Sequence, residues 1–184
     1  MRLIAYIGLL LCLMAPAQAQ DACRTNVSVV GVQGFGAIYD AGIDSLYREV
    51  AARAGFGDDD TPILCKLENT SVGPVPLTFQ FFTATSIRYA IALPAFALES
   101  DRETITGIMA HELAHPRRGL RTRTEAEGLA EEIASDALAA QWVGKDAVRA
   151  FLRLLLSEAF MSRTPPAYRE RFAREAQARI TALQ

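Results

Sequence analysis

The chain has 184 residues, of which 51% are hydrophobic and 22% are charged, and its formal net charge is −2 at pH 7. This nearly balanced charge gives no basis for nucleic acid as a general ligand, because nucleic-acid-binding domains carry a basic excess. After removal of a signal peptide about 165 residues would remain, which is enough for one domain with a hydrophobic core.

The first 19 residues have the three regions of a secretory signal peptide. Arg2 precedes an apolar run that ends at Met14, and an Ala-Gln-Ala cleavage sequence lies directly before Gln20. The apolar run is too short for a membrane span, which favours cleavage after Ala19. We therefore expect an exported protein, periplasmic or secreted, in which residues 20–184 form a single domain.

The cysteine count agrees with export. Cys12 would be removed with the signal peptide, which leaves Cys23 and Cys65 as a single pair. An oxidising compartment would join them in a disulfide that ties the N-terminal segment to a predicted strand. The alternative is a pair of buried free thiols.

One helix and three strands are predicted in the first half of the domain. The segment from Asp40 to Ala54 repeats its apolar residues at helical spacing and predicts an amphipathic helix. Three strand-like segments follow between turn-rich sequences, at Pro62–Leu67, Leu77–Thr83 and Ile87–Leu93. These elements indicate a small sheet.

Both histidines of the chain lie in one motif, His111-Glu112-Leu113-Ala114-His115. Residues four apart share one face of a helix, so both imidazoles can reach one metal ion. Two neutral imidazoles suit zinc, and Glu112 points off the ligand face, where it can take a proton from a zinc-bound water. The motif predicts a hydrolytic zinc site, and the alternative is an accidental match within an ordinary helix.

The surrounding sequence indicates that the motif lies on a helix from about residue 101 to 115. Ser100 and Glu103 have the spacing of a capping box, and apolar residues follow at helical spacing. Pro116 comes directly after the second histidine and is expected to end the helix.

A zinc site that keeps a position for water needs a third protein ligand, and the next helix offers two carboxylates. That helix is predicted from a capping box at Thr124 and Glu127 to about Trp142. Glu132 and Asp136 lie one turn apart on its apolar stripe, where a carboxylate needs a cation or hydrogen-bond donors. We predict Glu132 as the third ligand and Asp136 as the acceptor that fixes the tautomer of a ligating imidazole.

Other interpretations of these acids stay open. Both could lie at the edge of a groove and pair with arginines of the chain. Glu131 shares with Ser135 a face that we expect to be solvated, and Glu125 is explained by the helix dipole. Full metal retention without Glu132 would point to one of the neighbouring acids.

Two further helices are predicted, a strongly apolar one from Lys145 to Met161 and a last one from Pro166 to about Leu183. No internal repeat or low-complexity linker interrupts the sequence. The elements together indicate an α+β domain, in which a small sheet packs on helices with the zinc at their junction.

A His-Glu-x-x-His helix followed by Glu-x-x-x-Asp on the next helix resembles the gluzincin metallopeptidases. The surroundings are most similar to the family of HtpX-type membrane proteases and CAAX prenyl endopeptidases, over roughly Ile43 to Phe172. The resemblance implies a small sheet packed on a zincin-type helical bundle that carries both motifs. It also implies an edge strand that lines the substrate cleft, with the residues Tyr89, Ala90, Ile91, Ala92 and Leu93.

A later segment is also similar to the family. Thr164-Pro165-Pro166 and Arg171-Phe172 match the family's Thr-His-Pro segment, which is followed by Arg-Ile. Pro165 stands where the family has a histidine that helps to stabilise the tetrahedral intermediate. By the resemblance, Arg171, Tyr168 or another donor takes that catalytic role, or activity is low or absent.

The segment between the two predicted metal helices is strongly basic, with Arg117, Arg118, Arg121 and Arg123. A loop of this charge could hold an acidic polypeptide segment or an anionic lipid surface, although the site requires neither. A solvated loop explains the same residues equally well.

Together these features predict an exported zinc metalloendopeptidase with one zinc ion and a polypeptide substrate. His111, His115 and Glu132 would hold the metal, and Glu112 would act as the general base. The substrate backbone would pair with the strand at Tyr89–Leu93. The alternatives are a non-catalytic gluzincin-like domain that binds or assembles envelope proteins, and a helical interaction module with an accidental motif.

Overall fold

The computed structural model describes Cys23 and residues 35–37, 40–67, 74–82, 87–119 and 125–184. The predicted signal peptide at residues 1–19 lies outside the described residues, as do Thr124, Arg121 and Arg123. Within the described ranges the protein combines α-helices with a small mixed sheet, so the α+β prediction is confirmed.

The first half of the described chain contains one α-helix of 13 residues and four short strands. Helix α1 (Ala41–Arg53) begins after Asp40, whose carboxylate accepts hydrogen bonds from the N–H groups of Gly42 and Ile43. The strands are β1 (Phe35–Ala37), β2 (Ile63–Leu67), β3 (Leu77–Phe82) and β4 (Ile87–Pro94). The last three agree with the predicted segments to within one residue at each end.

The sheet has the strand order β1-β2-β4-β3. Strand β4 lies between a parallel neighbour, β2, and an antiparallel neighbour, β3. Its residues Ile91, Ala92 and Leu93 are completely buried, as expected for a central strand. The prediction that Tyr89–Leu93 forms an edge strand is therefore wrong, because β3 pairs along that side. Among the described residues, β3 and β1 are the edge strands.

Helix α2 (Arg102–Arg118) follows a 3-10 helix (Ala95–Glu99) and carries both histidines. Its N-terminal capping residue is Asp101, which accepts a hydrogen bond from the N–H of Thr104 at 2.8 Å. The predicted capping box of Ser100 and Glu103 is therefore wrong, since the carboxylate next in sequence is better placed to satisfy the first turn.

Pro116 lies inside the last turn of α2 and does not end it. Proline has no N–H, so the carbonyl of Glu112, four residues earlier, lacks its usual backbone donor. The hydroxyl of Thr78 on β3 lies 3.0 Å from that carbonyl oxygen and supplies a hydrogen bond instead. The helix therefore continues to Gly119, whose φ of 76° is in the left-handed region that ends many helices.

The described residues after position 124 form four α-helices, α3 (Glu125–Val143), α4 (Lys145–Leu156), α5 (Glu158–Arg163) and α6 (Pro166–Ala182). The prediction of one helix from Lys145 to Met161 is wrong, because the segment is divided at Ser157. The Ser157 hydroxyl accepts a hydrogen bond from the N–H of Phe160 and caps α5.

Helix α2 is the central helix of the core and contacts α1, α3, α4 and the strands β3 and β4. Ile108, Met109 and Leu113 of α2 are completely buried. Gly107 permits the close approach of α4, because a β-carbon there would lie 2.0 Å from the carbonyl oxygen of Ala147. This packing holds the histidine-bearing turns of α2 in a defined position.

A disulfide joins Cys23 to Cys65 of β2, as predicted, with the Cα atoms 5.8 Å apart. Bonds of this kind typically stabilise a fold by about 2–4 kcal/mol. The bond indicates a non-reducing compartment. No helix in the described part of the chain combines the length and apolar character that a membrane span needs.

Candidate metal centre

The two imidazoles of α2 and the acid between them form a buried cluster. His111 and Glu112 are 2% and 4% exposed, and the side chain of His115 is 13% exposed. Potential ligand atoms of the three residues lie within 4.8 Å of one another, close enough for one metal ion. The spacing of one helical turn brings the two histidines to the same side of α2.

The carboxylate of Glu132 on α3 lies against both imidazoles. Its Oε2 is 3.1 Å from Nε2 of His111, and its Oε1 is 3.7 Å from Nε2 of His115. The two Nε2 atoms are 3.2 Å apart. Zinc–ligand bonds of about 2.0–2.1 Å at tetrahedral angles separate neighbouring donor atoms by about 3.3–3.4 Å. The two nitrogens are near this spacing, and each lies close to one oxygen of Glu132, so the group could hold a metal ion.

Asp136, one turn after Glu132, contacts the opposite side of His111. Its Oδ1 is 2.8 Å from Nδ1 of His111, and the residue is 1% exposed. An ionised carboxylate can only accept, so this contact keeps a proton on Nδ1 and leaves Nε2 directed at the cluster. This is the contact that the sequence predicts for Asp136.

His115 has an analogous partner that is not among the predicted site residues. The hydroxyl oxygen of Ser135 lies 3.4 Å from Nδ1 of His115, and Ser135 is completely buried. The expectation that this face of α3 is solvated is therefore wrong. Glu131 lies on the same face and is also covered, because the guanidinium of Arg118 donates two hydrogen bonds to its carboxylate, at 2.8 and 2.9 Å.

A buried arginine on α6, Arg179, contacts both acids of α3. Its Nε and Nη2 donate to the two oxygens of Asp136 at 2.7 and 2.9 Å, and its Nη1 lies 3.1 Å from Oε2 of Glu132. Nη2 is also 3.4 Å from Nε2 of His111, and the residue is 6% exposed. Each acid thus contacts an imidazole and an arginine together, so pairing with an arginine, one of the interpretations left open by the sequence, is confirmed. The role of Glu132 as a metal ligand stays a prediction.

Arg179 is not a predicted site residue, although the sequence contains a signal for it. Phe172, Ala176 and Leu183 have the spacing that places them on one face of α6 with Arg179. A charged residue on an apolar stripe is the same signal that identifies Glu132 on α3. Applied to α6, it identifies Arg179.

These contacts set the protonation of the cluster. Burial and Arg179 lower the pKa of His111, but Asp136 and Glu132 outweigh them and raise that pKa to about 9. Burial and the charge of His111 lower the pKa of His115. Burial raises the pKa of both acids, but other contacts outweigh it, so both pKa values lie below their usual range. For Glu132 these are the hydrogen bond and charge of His111 and the charge of Arg179, and for Asp136 they are hydrogen bonds from Arg179 and His111. A metal ion that binds at neutral pH must therefore displace a proton from His111.

The carboxylate of Glu112 contacts β3 and lines a cavity of about 330 Å³. Its Oε2 lies 2.5 Å from the hydroxyl oxygen of Thr78. The segment Val75–Thr78 lines the cavity together with the imidazoles, Glu132 and apolar residues of α4 and α6. The strand that borders the cluster is therefore the edge strand β3, whereas β4 is enclosed by its neighbours.

The two residues predicted to stabilise a reaction intermediate occupy different positions. Arg171 lines the cavity, and its Nε donates to Glu175 at 2.8 Å. Tyr168 is 52% exposed and is not among the described residues that line the cavity. The fold therefore brings Arg171 to the cleft and leaves Tyr168 at the surface.

The two described arginines of the predicted basic loop belong to α2 and contact the protein itself. Nε of Arg117 donates to the carbonyl of Ala54 at 3.1 Å, and its guanidinium stacks on the ring of Phe56. Arg118 pairs with Glu131. These contacts connect α2 to the end of α1 and to α3. Because both guanidinium groups are engaged within the protein, Arg117 and Arg118 are weaker candidates for a surface that binds acidic polypeptide or lipid.

No protein-family model matches the chain, and neither a curated protein nor a solved structure matches it. The resemblance to gluzincins therefore rests on the residues of the motifs.

We expect Glu132→Gln to weaken zinc binding by more than about a hundredfold, because even residues that only support a ligand cost 10- to 100-fold when changed. The measurement is the zinc affinity of the purified variant in competition with a chelator. Glu131→Gln is the matched control, since Glu131 is the adjacent acid and pairs with Arg118. Equal zinc affinities in the two variants would contradict the assignment of Glu132.

Proposed function

We propose that the protein is a zinc-dependent metalloendopeptidase of the gluzincin type. The proposal rests on the convergence of His111, His115 and Glu132, with donor atoms 3.1 to 3.7 Å apart, beside the buried carboxylate of Glu112. Three protein ligands with an adjacent base are typical of a catalytic zinc site, which keeps one position for water.

The proposed chemistry is hydrolysis of a peptide bond. A zinc ion held by the three residues would supply Lewis-acid chemistry, lowering the pKa of water to about 7 and polarising the peptide carbonyl. Glu112 acts as the general base, takes the proton of the attacking water and delivers it to the leaving amine. Asp136 and Ser135 keep the Nε2 atoms of the two histidines directed at the cluster through their contacts with Nδ1.

A polypeptide substrate is supported by the position of β3. Among the described residues this strand is paired on one side only, and its first residues line the cavity beside Glu112. An extended peptide can add to such an edge through main-chain hydrogen bonds, which tolerate many sequences. Arg171 at the cavity wall is our candidate for stabilising the developing charge, because Pro165 offers no side-chain donor.

We further propose that the protein is exported. The disulfide between Cys23 and Cys65 supports a non-reducing compartment. The sequence of residues 1–19 supports a signal peptide as the route.

Zinc-dependent turnover tests the proposed activity. We expect the purified protein to cleave an unfolded polypeptide, to lose cleavage on removal of metal by a chelator, and to recover it on addition of zinc. Mass spectrometry of the products measures the cleavage. A zinc-replete protein that leaves unfolded polypeptides intact would overturn the proposal.

A non-catalytic gluzincin-like domain that binds or assembles envelope proteins is the second candidate. It is favoured by Arg179, whose guanidinium lies 3.1 Å from Oε2 of Glu132 and supplies positive charge beside the ligand atoms. Like charges repel, so this arginine opposes a metal dication. Turnover of unfolded polypeptide by the zinc-replete protein supports the peptidase, and a stable fold without turnover, with or without bound zinc, supports the second candidate.

A further inference from the structure

Thr78 of β3 is the described residue that joins the edge strand to the acid of the motif. Its hydroxyl oxygen lies 2.5 Å from Oε2 of Glu112 and 3.0 Å from the carbonyl oxygen of the same residue. Glu112 is 4% exposed as a whole residue, so most of its contacts are with protein groups. One hydroxyl therefore contacts the backbone and the side chain of the same buried residue.

The carbonyl contact has a clear cause in the sequence. Pro116 lacks the N–H that would otherwise donate to the carbonyl of Glu112, and Thr78 replaces that donor. A hydroxyl has one hydrogen but can also accept. The side-chain oxygen, at 2.5 Å, and the carbonyl oxygen, at 3.0 Å, therefore share this one donor.

We propose that Thr78 is a positioning residue whose hydroxyl holds the carboxyl group of Glu112 in place beside the two histidines. This inference rests on the proposed function, in which Glu112 takes up and releases a proton in each turnover. Because Thr78 lies on the strand that would pair with an extended peptide, the same residue links substrate binding to the orientation of the base.

The first test compares Thr78→Val with Thr78→Ser in the zinc-replete protein. Valine keeps the shape of threonine without the hydroxyl, and we expect kcat to fall about tenfold while KM changes less than about twofold. Serine keeps the hydroxyl and should restore most of kcat. A wild-type kcat in Thr78→Val, or no recovery in Thr78→Ser, would overturn the proposal.

The second test separates the carboxylate contact from the support of the backbone. Pro116→Ala supplies an N–H that can donate to the carbonyl of Glu112 without Thr78. In that background, Thr78→Val should still lower kcat about tenfold, while its effect on the thermal midpoint becomes smaller. Recovery of kcat in the double variant would show that Thr78 acts only as a structural donor and would overturn the proposal.

The third test does not depend on catalysis. In the Pro116→Ala background, we expect Thr78→Val to lower the thermal midpoint when Glu112 is present and to leave it nearly unchanged in Glu112→Ala. Equal changes in thermal midpoint with and without the Glu112 side chain would show that Thr78 does not interact with that side chain, and would overturn the proposal. If the shifts differ and the wild type cleaves no polypeptide, the proposed function fails while the contact between Thr78 and the Glu112 carboxyl group stands.

Discussion

The Glu112→Gln variant should bind zinc as the wild type does and hydrolyse polypeptide about 10²- to 10⁴-fold more slowly, which is the usual contribution of a general base. Glutamine keeps the size of the side chain and still accepts a hydrogen bond from Thr78, whose hydroxyl lies 2.5 Å from Oε2 of Glu112. What it lacks is a basic oxygen that can take the proton of the attacking water. The measurement is kcat/KM together with zinc content.

The control for this variant is Glu131→Gln, which makes the same chemical change in an acid that pairs with Arg118. It should keep both zinc and activity near the wild-type values. Undiminished hydrolysis in Glu112→Gln would remove Glu112 from the mechanism. Loss of zinc from Glu112→Gln would instead assign Glu112 to metal binding.

The second large effect is expected at Arg179, in the free energy of unfolding of the metal-free protein. Arg179→Met removes both hydrogen bonds to Asp136, at 2.7 and 2.9 Å. The carboxylate of Asp136, a residue that is 1% exposed, then keeps His111 as its remaining partner. Removal of one partner from a buried ion pair costs about 3–5 kcal/mol. Urea unfolding in the presence of a chelator measures the loss.

Two variants control this measurement. Arg174→Met removes an arginine of the same helix whose pair with Glu170 is exposed, and exposed pairs contribute about 0–1 kcal/mol. Arg179→Lys keeps the charge but not the bidentate geometry, so its stability should be intermediate. A loss below about 1 kcal/mol in Arg179→Met would mean that the pair does not stabilise the fold.

Zinc should restore part of the stability that Arg179→Met loses, because a bound dication offsets the negative charge of Glu132 and Asp136. The same variant should bind zinc more tightly than the wild type, since a cation beside the ligand atoms is removed. An unchanged zinc affinity would show that Arg179 does not oppose the metal.

The parts of the site that could be predicted from the sequence depend on spacing within one helix. His111 and His115 share a face of α2 because they are one turn apart, and Glu132 and Asp136 share a face of α3 for the same reason. Apolar neighbours on each stripe showed that these polar residues face the interior. The pairing of Cys23 with Cys65 followed from their being the two cysteines left after removal of a signal peptide.

The parts that could not be predicted depend on contacts between distant segments. Thr78 and Glu112 are 34 positions apart, Asp136 and Arg179 are 43 positions apart, and no periodic pattern in the sequence connects the members of either pair. The position of β4 inside the sheet was missed because its buried, apolar sequence does not show which strands will pair with it. The continuation of α2 through Pro116 depended on a donor from another element, the Thr78 hydroxyl.

By itself, the sequence determined most of the helices, three of the four described strands, the inward faces of α2 and α3, and the residue types that suit zinc, because these follow from local periodicity and side-chain chemistry. The tertiary structure alone decided that β3 borders the cluster, that Ser135 reaches His115, and that Arg179 enters from α6. The physical reason is that a buried polar group is satisfied by whichever partner packing brings to it, and packing depends on the whole fold.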